Sequence, residues 1–103
     1  MKVYISGPIT GTTDYLERFR KAERKLHAAG HSVMNPARVN LNMPVGTTHQ
    51  EYMKMAICML SMCDAIFLLD GWAHSTGCNE EVAYALQHKI IITYEAKNEE
   101  HIA

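Results

Sequence analysis

The sequence predicts an α/β domain: a three-layer, open parallel sheet of four to five strands with helices on both faces, in the flavodoxin-like or Rossmann-like class. Two observations carry this. Short apolar runs alternate with helix-period segments in the order β-α-β-α-β-α-β, and AIFLL (65–69) is apolar throughout, as a strand covered on both faces must be. The chain has 103 residues, enough for one domain over 1–103 with a modest core.

VYIS (3–6) is the first strand, and GPITGTT (7–13) stops it with two glycines and a proline. From about Asp14 to Ala29 a helix follows, with Leu16, Phe19, Ala22 and Leu26 on one face and Gly30 suited to its stop. HSVMN (31–35) is a second strand, ended by Pro36. Residues 36–48 form a connection long enough to suggest a lid or substrate loop. Thr48-His49-Gln50-Glu51 has the form of a capping box and opens a helix whose Tyr52, Met55, Ala56, Met59 and Met62 share a core or dimer face. After AIFLL and DGWAHS, a third helix is expected from about Gly77 to His88, with Val82, Ala85 and Leu86 buried. KIIITY (89–94) is then a fourth strand and residues 95–103 a polar tail.

Ten Lys plus Arg against eleven Asp plus Glu leave a net charge of -1, which offers no bulk attraction to nucleic acid or to an anionic membrane. No apolar stretch is long enough to span a bilayer or act as a signal, so a cytoplasmic protein with a small-molecule partner is expected. Cys58, Cys63 and Cys78 are odd in number and lack zinc-site spacing, and the six histidines are scattered along the chain. Reduced thiols and no metal are therefore expected.

In a sheet of this class ligands bind beyond the carboxyl ends of the strands, where the loops after strands one, two and three gather. GPITG and STG each bring backbone N–H groups beside a helix start, an arrangement that holds a phosphate, a carboxylate or a sugar hydroxyl and equally serves as a plain turn. Neither has the spacing of a dinucleotide fingerprint or a P-loop, so no nucleotide cofactor is expected. Glu80 and Glu81 lie about one turn into the third helix, where the helix N-terminus alone favours acids. Adjacent helix residues point about 100° apart, so Glu81, four before Ala85, turns toward the crevice while Glu80 serves solubility and the helix start. A partly desolvated carboxylate facing a sugar-sized cleft is suited to attack at an anomeric carbon.

KVYISGPITG, AAGHSVMNPA, CDAIFLLDGW and the S-x-G-x-x-x-E-x-A-x-A pattern from Ser75 to Ala85 resemble the nucleoside 2-deoxyribosyltransferase-like superfamily. The likeness is to a small branch found in bacteria and their phages, near the 2′-deoxynucleoside 5′-phosphate N-hydrolases. It implies that Glu81 is the nucleophile that cleaves an N-glycosidic bond through a covalent sugar intermediate. Ser75, where the monophosphate hydrolases carry a serine, implies a 5′-phosphate. Gly7, Pro8, Ile9, Thr10 and Gly11 match the loop that contacts base and phosphate, with Ile9 against the base, and Gly77 joins Ser75 around the sugar-phosphate.

The chain departs from the family at three places. Ala56 stands where an aspartate assists the leaving base, and Thr10 stands where the phosphate-specific hydrolases carry an arginine. A neighbouring subunit's C-terminal residue completes the site in those enzymes, and no equivalent is expected before Ala103. Asp70 is the substitute candidate for assisting the base, with a turn-starting Asp before Gly71 as its plain reading. Trp72 is placed to stack on base or sugar or to shield the sheet edge, and Asn35 is a hydrogen-bonding group at the rim.

The expected activity is thus an N-glycosidase on a (deoxy)nucleoside 5′-monophosphate, or a deoxyribosyl transfer to another base, in a homodimer or larger assembly. The rival is a nucleotide-binding or sequestering protein with little turnover. A flavodoxin-like electron carrier is a third reading, weakened by a first loop without the Ser/Thr-rich pattern a flavin phosphate would use.

Overall fold

The computed structural model describes residues 1–95, so the tail expected over 95–103 lies, apart from Glu95, outside the described residues. Four strands, β1 (Lys2–Ser6), β2 (Ser32–Met34), β3 (Ala65–Leu68) and β4 (Ile91–Tyr94), form one sheet in the order β2-β1-β3-β4, with every pair parallel. The helices are α1 (Tyr15–Ala28), α2 (Pro36–Asn40), α3 (His49–Ser61) and α4 (Thr76–Gln87), with a single 3-10 turn at Trp72–His74. The α/β class, the parallel sheet and the helices on both faces are as the sequence predicts. Four strands are present among the described residues.

Strands β1 and β3 occupy the centre, which explains the apolar run of β3 and the burial of β1 from Val3 to Ser6; the edge strands β2 and β4 are only half-buried. Register sorts the side chains. Tyr4 pairs with Ile66 and Met34, and Ser6 with Leu68, on the face covered by α3 and α4. Ile5, Val33, Phe67 and Leu69 lie on the other face with Phe19 and Ala22 of α1 and Ala37 of α2. These two apolar clusters, one on each side of the sheet, make the three layers.

Several local expectations need correction. The 36–48 connection is not all loop: Asn35 accepts from the Ala37 N–H and Pro36 takes the first helical position, so α2 forms there. Helix α3 starts with the full capping box of Thr48 and Glu51, but its buried stripe is Ala56, Met59 and Leu60; Met55 and Met62 are exposed. The i, i+3, i+4 pattern fits both stripes, and the sheet selected the one carrying Leu60. Leu86, expected inside, is 67 % exposed, because Cys78, Glu81 and Ala85 form the inward line of α4. Leu16 is 37 % exposed for the same kind of reason, Phe19 and Ala22 being the residues of α1 that reach the core. Gly30 ends α1 with φ +93, as expected.

Candidate active site

The inward line of α4 is apolar except at one place. Cys78 and Ala85 pack against the sheet, and between them Glu81 is 6 % exposed. On the facing strand β1, Tyr4 and Ser6 are two residues apart and therefore point to the same side. The Tyr4 hydroxyl donates to Glu81 Oε2, and Ser6 Oγ donates to Oε1 at 2.6 Å. No buried side-chain oxygen or nitrogen among the described residues lacks a partner.

Burial pushes the Glu81 carboxyl above its usual range; the Ser6 and Tyr4 hydroxyls pull it back, and Glu80 adds a smaller upward push. Burial, and then the charge of Glu81, raise the Tyr4 phenol well above its own ordinary value. The phenol therefore keeps its proton and remains a donor. Each carboxylate oxygen accepts one hydroxyl and has a further lone pair available. Burial also raises the Cys78 thiol, against the hydrogen bonds of Ser6 and Ser75.

Glu81 opens onto a cleft of about 100 Å³ at the carboxyl end of β1. Ile9 closes one side and Pro36 and Asn40 of α2 another. His49, Tyr52, Met53 and Ala56 of α3 form the wall opposite, and Gly77 and Glu81 come from α4. Gly77 faces this space: a Cβ there would come 3.5 Å from Met53 Sδ and 4.0 Å from His49 Cε1. Ser75 caps α4 by accepting from the Cys78 N–H, so the helix start lies just beyond Gly77.

The structure gathers some of the sequence-predicted residues and separates others. Of the first loop, Ile9 lines the cleft. Gly7 serves the backbone, since a Cβ there would fall 2.7 Å from Leu69 Cδ1, and Pro8 packs against Gly71. Thr10 and Gly11 are exposed, Gly11 with φ +80. Asn35 is committed to α2, accepting from Ala37 and donating to Glu23 Oε1 at 2.9 Å. Asp70 lies outside the cleft, its carbonyl accepting from Arg18 and its N–H donating to Glu95. Trp72 also lies outside it, with its ring 6.2 Å from that of Tyr94. Glu80 points outward and meets His49, Nε2 to Oε2 at 2.9 Å.

Tyr4, Ser6 and His49 are the site residues that sequence reasoning missed. For the first two the signal was there: alternate positions on a buried strand carrying hydroxyls where the core wants hydrocarbon. Among the described residues no group of three or more His, Cys, Asp or Glu is placed to hold a metal ion, and no helix is long and apolar enough to cross a membrane. Cys58, Cys63 and Cys78 are free thiols.

Among solved structures, the 2-deoxyribosyltransferase of the psychrotolerant bacterium Bacillus psychrosaccharolyticus superposes with a TM-score of 0.73 over 91 % of this chain and 71 % of that one, at 20 % identity. The match gives the same α/β fold and agrees with the superfamily resemblance read from the sequence. No curated protein sequence matches. A family model matches residues 1–94, from the first strand to the end of the fourth, and on that match the chain belongs to the family described as Domain of unknown function (DUF4406).

Proposed function

We propose that the protein cleaves the N-glycosidic bond of a (deoxy)nucleoside 5′-monophosphate, or passes the deoxyribosyl group to another base, with Glu81 as nucleophile. The observation that carries this is the buried Glu81 carboxylate, held by two hydroxyls and facing a cleft that Ile9 and Gly77 also line. A Glu81 oxygen bonds to C1′ as the C1′–N bond breaks and its electron pair leaves with the base. Water, or a second base, then attacks C1′ and frees the carboxylate, with configuration retained.

The make-up of the cleft supports a sugar as its occupant. It is a small space in which apolar walls stand beside the Glu81 carboxylate, as presenting a sugar ring for attack requires. In this reading the base lies along Ile9 and the phosphate at the start of α4, where Ser75 Oγ–H and free backbone N–H groups meet the positive end of the helix dipole. Assembly into a homodimer would extend the rim, and a cytoplasmic location fits a nucleotide substrate.

The test is a panel of nucleoside 5′-monophosphates and nucleosides, with free base followed by chromatography. Release by the native protein should fall about 10⁴-fold or more in Glu81→Gln. Undiminished release in that variant removes Glu81 from the role. One observation favours a second reading, a nucleotide-binding protein with little turnover: Ala56 forms the cleft wall where the resemblance implies an aspartate, and Asp70 lies elsewhere. Tight calorimetric binding without release of base from any nucleotide would select it.

A further inference from the structure

Breaking an N-glycosidic bond needs more than a nucleophile, because an unprotonated base is a poor leaving group and must take up a proton as it departs. Besides Glu81, the titratable side chains lining the cleft are Tyr4, Tyr52 and His49. The Tyr4 hydroxyl, which keeps its proton, is already engaged as a hydrogen-bond donor to Glu81. We infer that His49 is the acid that protonates the departing base, an assignment that rests on Glu81 being the nucleophile.

The geometry is that of an oriented imidazole. Nε2 lies 2.9 Å from Glu80 Oε2. An ionised carboxylate only accepts, so Nε2 carries a hydrogen and Nδ1 is the ring nitrogen left to exchange a proton. The ring reaches the cleft beside Gly77: Cε1, the carbon between the two nitrogens, lies 4.0 Å from where a Cβ would sit. The second acid of the doublet is thus the nucleophile, and the first holds the ring that serves the leaving group. Two adjacent carboxylates on α4 act on opposite sides of one bond.

The step balances. The Nδ1–H proton passes to a ring nitrogen of the base while the C1′–N electron pair leaves with that base and a Glu81 oxygen bonds to C1′. Nδ1, now an acceptor, takes the proton of the water that attacks C1′ in the second half. Glu80 is a positioning residue, since it acts only through the imidazole.

The experiment compares two substrates, 2′-deoxyguanosine 5′-monophosphate and its N7-methyl form, whose base already carries positive charge and leaves without protonation. His49→Gln, at an exposed position in the first turn of α3, is expected to lower kcat on the unmethylated nucleotide by about 10²-fold or more. On the methylated form it should change little. Glu80→Ala should show a smaller loss of the same selectivity. Equal loss on both substrates, no loss on either, or the selective loss appearing in Tyr52→Phe instead overturns the assignment. Cleavage by the native protein of the methylated nucleotide alone also overturns it. Loss of both activities in Glu81→Gln tests the nucleophile separately, and native protein inert on both substrates and on the whole panel of nucleotides would remove the glycosidase reading and His49's part in it.

Discussion

Tyr4 and Glu81 meet hydroxyl to carboxylate across the gap between β1 and α4, inside the apolar cluster that joins the sheet to its helices. Removing the donor leaves a buried carboxylate with Ser6 alone. A hydrogen bond to a charged group contributes about 1.5–3 kcal/mol, and Tyr4→Phe should destabilise the fold by that order in urea melts at neutral pH. A double-mutant cycle with Glu81→Gln should recover most of the loss as coupling; strictly additive losses would show that the two side chains do not depend on each other.

Glu81 also sets a pH dependence. Its folded-state pKa lies above the ordinary value of 4.5. Between that value and the raised one the folded protein binds more protons than the unfolded chain, so this group's contribution to stability is present below about pH 4.5 and is lost as pH rises through the folded pKa. Glu81→Gln has no such titration. Its stability relative to the native protein should increase as pH goes from 4 to 8 while activity is absent, and parallel stability curves would contradict the burial of an ionisable group there.

Ser75 caps α4 and also hydrogen-bonds the Cys78 thiol, and the cap is the contact that fixes the helix start. Aspartate caps as well as serine does, whereas Ser→Ala costs about 1 kcal/mol. Ser75→Asp should therefore keep the melting temperature while its charge repels a 5′-phosphate, shifting preference from the monophosphate toward the nucleoside. Calorimetric titration with both ligands reads the ratio; an unchanged ratio would place the phosphate elsewhere.

Gly77 separates fold from binding in the opposite direction. Helical Gly→Ala gains up to about 1 kcal/mol, and the added methyl would meet Met53 and His49 at ordinary contact distance. Gly77→Ala should melt higher and bind nucleotide more weakly, because the methyl takes space in the cleft. Higher affinity would mean that the ligand does not occupy the space above Gly77.

The layered sheet was legible because central strands must be apolar along their whole length and helices must repeat every three to four residues. Glu81 was legible for a related reason: the Cys78–Ala85 line requires a core-facing residue at its position, and a carboxylate there breaks the pattern. Legibility ended where two stripes fit one helix: Ala56 and Met59 belong to both, and Leu60 is buried in place of Met55 and Met62. It ended too where a polar side chain was claimed by a local cap, as Asn35 was. His49 gave no signal of its own, since its pairing with Glu80 needs α3 and α4 side by side, 31 positions apart in the chain.

The grip on the carboxylate comes from a central strand. Tyr4 and Ser6 keep their direction through the ladder that β1 shares with β2 and β3, and a slip of one position would turn Val3 and Ile5 to Glu81 instead. Insertions and exchanges in the surrounding loops can therefore remodel what is admitted while the Glu81 carboxylate stays where it is. The contents of the cleft can vary at little cost in this scaffold, whereas moving the buried carboxylate would require rebuilding the sheet.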